Sequence, residues 1–230
     1  PNEDAIAVAA IDDGAAVLLV ADGMGGTPAG EQASTLALQS VVAVLAEIDG
    51  DASLLRSAIL DGFERANEAV RALGVGAGTT LAAVEINGQT ARPYHVGDSE
   101  ILVVGQRGRI KLQTLAHSPV AYAVEAGLLD ESEAMHHEER HIVSNMIGAE
   151  SMRIDIGSPV KLAQRDTVLL ASDGLTDNLE ASEIVEHIRR GPLSRAAARL
   201  ADQARRRMET SAGDQPSKPD DLSFVLFRLC

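Results

Sequence analysis

The sequence has no tryptophan, and only three phenylalanines and two tyrosines in 230 residues. Its core must therefore be filled by Ala, Val, Leu and Ile, and stacking platforms for single-stranded nucleic acid are scarce. Cysteine occurs once, at Cys230, which excludes a disulfide framework or a Cys-based zinc site within the chain and fits a reducing, cytoplasmic setting. Long apolar runs are missing: Ala15 to Ala21 is strand-sized, far short of the roughly 20 residues of a membrane span. No signal peptide is visible, and Pro1-Asn2-Glu3-Asp4 reads like the interior of a longer chain. Positive charge is also short, with 20 Lys and Arg against 34 Asp and Glu and a net charge of −14. Such a surface repels DNA and RNA backbones. Carboxylates gathered in one cleft repel each other unless cations join them, so part of the acidic excess is a candidate ligand set.

The periodicity that is present alternates between strand and helix. Ala5 to Ile11 and Ala15 to Ala21 are apolar runs divided by Asp12-Asp13-Gly14, which predicts a hairpin. Gly30 to Ile48 carries apolar residues at helical spacing and stops at Asp49-Gly50. Ser53 to Leu73 repeats that pattern, with Ser53 as N-cap and Gly74 as C-terminal stop. Strands are predicted at Thr79 to Ile86, Thr90 to Val96, Glu100 to Val104 and Arg109 to Leu112, with a hairpin at Asn87-Gly88. The His-rich stretch 121–151 reads as a short helix plus a surface loop. Thr167 to Ala171 is a strand, Glu180 to Arg190 and Pro192 to Glu209 are helices, Ser211 to Pro219 is a loop, and Leu222 to Leu229 is a last strand. Hairpins dominate and regular βαβ alternation is absent, which predicts an α+β fold with antiparallel sheets in one domain spanning 1–230.

One pattern recurs at the strand ends. Asp22-Gly23, Gly97-Asp98 and Asp173-Gly174 each follow an apolar strand, Asp220-Asp221 precedes the last strand, and Glu3-Asp4 precedes the first. Asp and Gly are frequent wherever a strand stops, so a single instance would be turn chemistry. Recurrence at five places favours convergence, because strand ends within a sheet lie side by side. Hard oxygen ligands without cysteine select Mg²⁺ or Mn²⁺ over Zn²⁺. Two such ions about 3.5–4 Å apart acidify a shared water and bind phosphoryl oxygens, a site suited to phosphate-ester hydrolysis.

In their order along the chain these motifs resemble the PPM family, the PP2C-type protein phosphatases, in its bacterial form. The matching segments are Asn2-Glu3-Asp4-Ala5, Val20-Ala21-Asp22-Gly23-Met24-Gly25-Gly26, Gly30-Glu31-Gln32-Ala33-Ser34, Gly78-Thr79-Thr80, Val96-Gly97-Asp98-Ser99, Ser172-Asp173-Gly174-Leu175-Thr176-Asp177 and Asp220-Asp221-Leu222-Ser223. The resemblance implies a four-layer α-β-β-α sandwich of two antiparallel sheets flanked by helix pairs. It implies serine/threonine phosphatase activity on proteins, by direct attack of a metal-activated water with no phosphoenzyme. It also implies two core Mn²⁺ or Mg²⁺ ions and a third. Asp22 would bridge the core ions with the Gly23 carbonyl as a further ligand, Asp173 and Asp220 would bind one ion, and Glu3 and Asp4 would act directly or through water. Asp98 would join Asp173 in the third site. Asp22, Asp173 and Asp220 would thus carry catalysis through metal-bound water, and 121–151 would be the family's flap. The implied partner is a phosphoprotein, with a Ser/Thr kinase or its targets as candidates, met by a monomer. The chain departs from the family pattern at Glu100 (usually Arg), Ala116 (often Asp) and Asp221 (usually Asn), and the family's phosphate-gripping arginine would fall before Pro1.

Other candidates are weaker. His137 and His141 have the i, i+4 spacing of a metal pair, though a solvated loop explains them better. His117 is a candidate proton donor, and Met24 stands where many family members carry a histidine. Asp177 could reach the metals but reads first as the N-cap of the helix near Glu180, and Thr79 and Thr80 read as supporting residues. Ser99, Ser118 and Ser172 lack a nucleophile elbow, and the Gly23 to Gly30 segment lacks the lysine of a P-loop. Two rival readings remain at this level: a non-catalytic module of the same fold, and a phosphatase of a small metabolite.

Overall fold

The computed structural model describes residues 2–24, 28–74, 76–210 and 215–229. Expectations that touch Pro1, Gly25, Gly26, Cys230 and the 211–214 part of the late loop lie outside the described residues.

The strand β2 (Ala15–Met24) explains the architecture, because its apolar run is buried on both faces. Val17, Leu19 and Ala21 pack against α1 (Pro28–Glu47) and α2 (Leu55–Ala72), in one core with Phe63, Ile59 and Val41. Leu18 and Val20 point the other way, into a second core with Ile101, Val103, Val168 and Leu170. A strand covered on both sides needs no polar face, so it reads as a continuous run rather than an alternation.

The first sheet runs β1 (Asp4–Ala10), β2, β4 (Leu81–Asn87), β5 (Thr90–Val96), β8 (Asp155–Ile156). Two short strands lie off this path: β3 (Gly78–Thr79) pairs with β2, and β9 (Val160–Lys161) pairs with β5. The second sheet runs β11 (Phe224–Arg228), β10 (Thr167–Ala171), β6 (Glu100–Val104), β7 (Ile110–Gln113). The strand pairs in both are antiparallel. Over the second sheet, Leu102, Val104 and Leu169 form a third core with residues of α5 (Asp173–Thr176), α6 (Ala181–Ile188) and α7 (Leu193–Glu209). The layers are helix, sheet, sheet, helix, as the resemblance implied.

The hairpins fall where turn chemistry placed them. β1 and β2 pair across Asp12-Asp13-Gly14. In the β4–β5 hairpin Asn87 pairs with Thr90, so the loop residues are Gly88 and Gln89, and Gly88 supplies the positive φ of 56°. Gly74, with φ of 68°, lies just past α2.

Several boundaries differ from expectation for local reasons. Asp51 rather than Ser53 caps the entry to the second helix: its side chain accepts from the Ser53 N–H and starts a single 3-10 turn at Ala52–Leu54. Asp177 is not the N-cap of α6; it ends α5, while Glu180 and Glu183 cap α6 reciprocally. The expected strand Thr79 to Ile86 is interrupted at Thr80, whose N–H donates to the Asp22 carbonyl. The segment 121–151 holds two short helices, α3 (Pro119–Glu125) and α4 (Glu131–Met135). Among the described residues no helix is long and apolar enough to cross a membrane.

Phe63 is fully buried whereas Leu128 is 77% exposed. Phe63→Ala is expected to cost about 3–5 kcal/mol in urea denaturation, and Leu128→Ala no more than about 0.5 kcal/mol. Equal losses would contradict this assignment of the core.

Candidate metal centre

The carboxylates meet because the strands that precede or follow them end on the same side of the sandwich. Asp4 pairs directly with Asp22 in the β1–β2 register. Asp98 sits between β5 and β6, whose inner ends Val96 and Glu100 pair with Leu81 and Ala171. Asp173 follows β10, and Asp220 and Asp221 precede β11, which pairs with β10 from Ala171↔Phe224 onward. Glu3, Asp22, Gly23, Asp98, Asp173, Asp220 and Asp221 thereby line one cavity of about 570 Å3. Asp4 sits beside it, with its Oδ2 accepting from the Ser172 hydroxyl at 2.8 Å.

Hydrogen bonds fix the backbone that carries these groups. The Asp22 N–H donates to Thr80 Oγ1 at 2.9 Å, and its carbonyl accepts from the Thr79 hydroxyl and the Thr80 N–H, each at 2.8 Å. Ser99 in turn bonds Thr80 at 2.6 Å. Thr79 and Thr80 therefore support Asp22. The Glu3 N–H donates to Asp221 Oδ2 at 2.6 Å, and the Glu3 carbonyl accepts from the Ser34 hydroxyl at 2.6 Å.

The glycines beside the aspartates are forced by close approach. A Cβ on Gly23 would meet the Gly30 carbonyl, one on Gly30 would meet the Glu3 carboxylate, and one on Gly174 would fall on the Asp221 carbonyl. The Asp-Gly pairs thus let two backbones pass within contact at the ends of their strands.

The electrostatics call for positive charge. Burial, then the charges of Asp173, Asp4, Asp98 and Asp220, push the Asp22 carboxyl up to about 10. Burial and then Asp173 push Asp98 up to about 7, and burial chiefly pushes Asp4 up to about 6. Asp173 is raised by burial, Asp177 and Asp220 despite an opposing Lys218. One cation is already present. The Lys218 ammonium lies 2.6 Å from Asp173, 2.9 Å from Asp177 and 3.0 Å from Asp220. Burial alone would lower Lys218, but Asp173 and Asp177 raise it. An all-oxygen donor set that crowds carboxylates and gathers an ammonium fits hard divalent cations.

Lys218 and the orienting roles of Asp221 and Ser172 were not legible in the sequence. A lysine two residues before an aspartate looks like any surface ion pair, and the Ser172 hydroxyl orients Asp4 rather than attacking substrate. The i, i+4 argument for His137 and His141 fails because α4 ends at Met135. His141 nevertheless lines the cavity, and with His136, His137, Arg140 and Lys218 it lines an adjoining one.

His117 is not placed as a proton donor. It is 1% exposed, and its Nδ1 accepts from the Gly97 N–H at 3.0 Å and lies 2.9 Å from the Asn145 amide nitrogen. The Asn145 orientation is set by two bonds to the Arg153 backbone, so Nδ1 is an acceptor and the proton sits on Nε2, 3.0 Å from Asp155. His95 stacks on His117 at 4.5 Å with its Nε2 on the Leu115 carbonyl. His95, His117 and Asp155 lie close enough to suggest a second metal cluster. Stacked rings, however, do not aim their in-plane lone pairs at a common point, and both rings are already engaged in hydrogen bonds.

Two outcomes test this geometry. Gly174→Ala must separate α5 from the Asp221 backbone, and it is expected to lower stability by about 1–3 kcal/mol or more, read by thermal or urea denaturation. Asp22 has a folded pKa raised above its ordinary value of 3.8. Its contribution is complete below that value and is lost as pH rises toward the folded pKa. In EDTA, Asp22→Asn should therefore melt above wild type at pH 8, by about 2–4 °C per kcal/mol relieved, with a shallower fall in midpoint between pH 4 and pH 8. A lower midpoint for the variant at pH 8 would refute the crowding.

Comparison with known proteins places this geometry in context. The family model described as Protein phosphatase 2C matches residues 1–218. A putative protein phosphatase 2C-type of Streptococcus pyogenes serotype M6 is 34% identical over 179 residues, 75% of this chain and 72% of that protein. The solved structure of the S. agalactiae serine/threonine phosphatase superposes with a TM-score of 0.83 at 31% identity, over 99% of this chain and 93% of the other. The catalytic domain of the serine/threonine protein phosphatase PstP, solved in complex with two manganese ions, gives 0.73 at 28% identity, over 98% and 90%.

Proposed function

This chain belongs to the protein phosphatase 2C family, and from that premise we propose that it removes phosphate from phosphoserine and phosphothreonine of proteins by metal-dependent hydrolysis at the carboxylate cavity. The observation that carries the reading is the convergence of Asp22, Asp98, Asp173 and Asp220 from separate strand ends on that cavity. Asp22, with the Gly23 carbonyl as a further ligand, would help hold two Mn²⁺ or Mg²⁺ ions, Asp173 and Asp220 would hold one of them, and Glu3 and Asp4 would act directly or through water. Asp98 with Asp173 would hold a third. Bound divalent cations supply Lewis-acid charge, lowering the pKa of a water and offsetting charge on phosphoryl oxygens.

The chain's own residues do the rest. Thr79 and Thr80 hold the Asp22 backbone, so the main chain that carries its carboxylate stays in place when a ligand enters. Ser172 orients Asp4, and Asp221 fixes the Glu3 backbone. Held this way, the donors need no rearrangement as charge develops at phosphorus, which is where preorganisation lowers a barrier. Segment 121–151 supplies His141 to the cavity and His136, His137, Glu138 and Arg140 to its neighbour, and this rim would receive the phosphorylated segment. Residues 1–230 would act as one domain in the cytoplasm.

The test is hydrolysis of a phosphothreonine peptide with Mn²⁺. Asp22→Ala and Asp173→Ala should each lower kcat/KM by at least about 10²-fold, the scale of losing one preorganised charge contact, and EDTA should abolish turnover. Activity that survives both substitutions, or needs no metal, would overturn the mechanism.

A further inference from the structure

We infer that Lys218 is a tethered competitor for the divalent cation that Asp173 and Asp220 hold, so that the centre loads its ions in order. The inference rests on the metal reading above and concerns a residue that reading does not use.

The ammonium occupies a seat built from three carboxylates on two segments: Asp173 and Asp177 at either end of α5, and Asp220 before β11. The side chain is 25% exposed, so its contacts are partly sheltered from screening water. The backbone that delivers it is bolted in place. The Lys218 N–H donates to Asn178 Oδ1 and its carbonyl accepts from Asn178 Nδ2, both at 2.8 Å. Asn178 is fully buried, and its Nδ2 also donates to the Gly174 carbonyl at 3.0 Å. Ser217 donates to the Arg207 carbonyl at 2.7 Å, and Pro219 restricts the Lys218 backbone from the other side. Lys218 is thus fastened to the segment that carries two of its three carboxylates.

A divalent ion entering between Asp173 and Asp220 must compete with this ammonium, because the ammonium already holds one oxygen of each carboxylate. On the Glu3 and Asp4 side of Asp22, no salt bridge among the described residues holds these carboxylates, and the three partners of Lys218 all lie on the other side. Exchange of one positive charge for two still favours the ion, but the bound lysine must first be overcome. Loading is therefore stepwise, tight on the Asp4 side and weaker on the Asp173 side. The displaced side chain has somewhere to go: Lys218 also lines the adjoining cavity, where Glu138 offers a new partner.

Calorimetric titration with Mn²⁺ tests this on wild type, Lys218→Ala and Lys218→Arg, with thermal melts of each in EDTA. Two binding phases are expected in wild type. Lys218→Ala should tighten the weaker phase at least tenfold and leave the tighter one within about twofold. Lys218→Arg, which keeps the charge, should titrate like wild type. In EDTA Lys218→Ala should melt lower, its three carboxylates having lost their counter-charge, and with saturating Mn²⁺ it should melt at or above wild type. Unchanged or weaker Mn²⁺ binding by Lys218→Ala overturns the inference, as does equal tightening of both phases, which marks a diffuse charge effect. Failure of every variant, wild type included, to bind Mn²⁺ overturns the metal reading itself.

Discussion

Repulsion among carboxylates at one end of two packed sheets is the constraint around which the rest of this structure is arranged. Asp22 illustrates it: burial and four neighbouring carboxylates raise its carboxyl far above the ordinary range. Such an arrangement survives only if the surrounding structure is stiff enough to hold it. The stiffness comes from three apolar cores in series, two between helices and sheets and one between the sheets. Close-packed side chains resist the small displacements that would let the carboxylates spread apart. Stability is thus spent at the cavity and recovered in the layers behind it, the usual division in an enzyme whose site must be strained before its ligand arrives.

The same constraint explains the small residues and hydroxyls around the cavity. Gly23, Gly30 and Gly174 allow backbones to approach where any side chain would collide. Thr79, Thr80 and Ser172 satisfy backbone groups and a carboxylate at the strand ends, where the ladder can no longer do so. His117 extends this scaffold sideways, tying the Gly97 turn that precedes Asp98 to Asn145 of the 121–151 segment. Asp98 is therefore positioned partly through the 121–151 segment.

Much of this was legible along the chain. The hairpins at Asp12-Asp13-Gly14 and Asn87-Gly88 follow from turn chemistry, and α1, α2 and α7 from a period of 3.6. The ordered Asp motifs located the cavity because strand ends are marked by local composition. Local chemistry was ambiguous where one residue type serves two purposes. Asp177 has the chemistry of an N-cap but ends α5 and binds Lys218. His137 and His141 have helical spacing, yet the helix stops at Met135. His117 has the chemistry of a proton donor, and its partners make it a buried strut.

The sequence by itself determined which residues alternate, which turn, and which strand ends carry carboxylates, because these depend on neighbours within a few positions. It also carried the family motifs whole. Only the tertiary structure decided that Asp4 faces Asp22, that Gly174 must yield to the Asp221 backbone, and that Lys218 reaches three carboxylates at once. Those relations join residues far apart in the chain through sheet register and layer packing. The carboxylates could be read as a list from the sequence; that they crowd one cavity, and that a lysine already sits among them, follows from the fold.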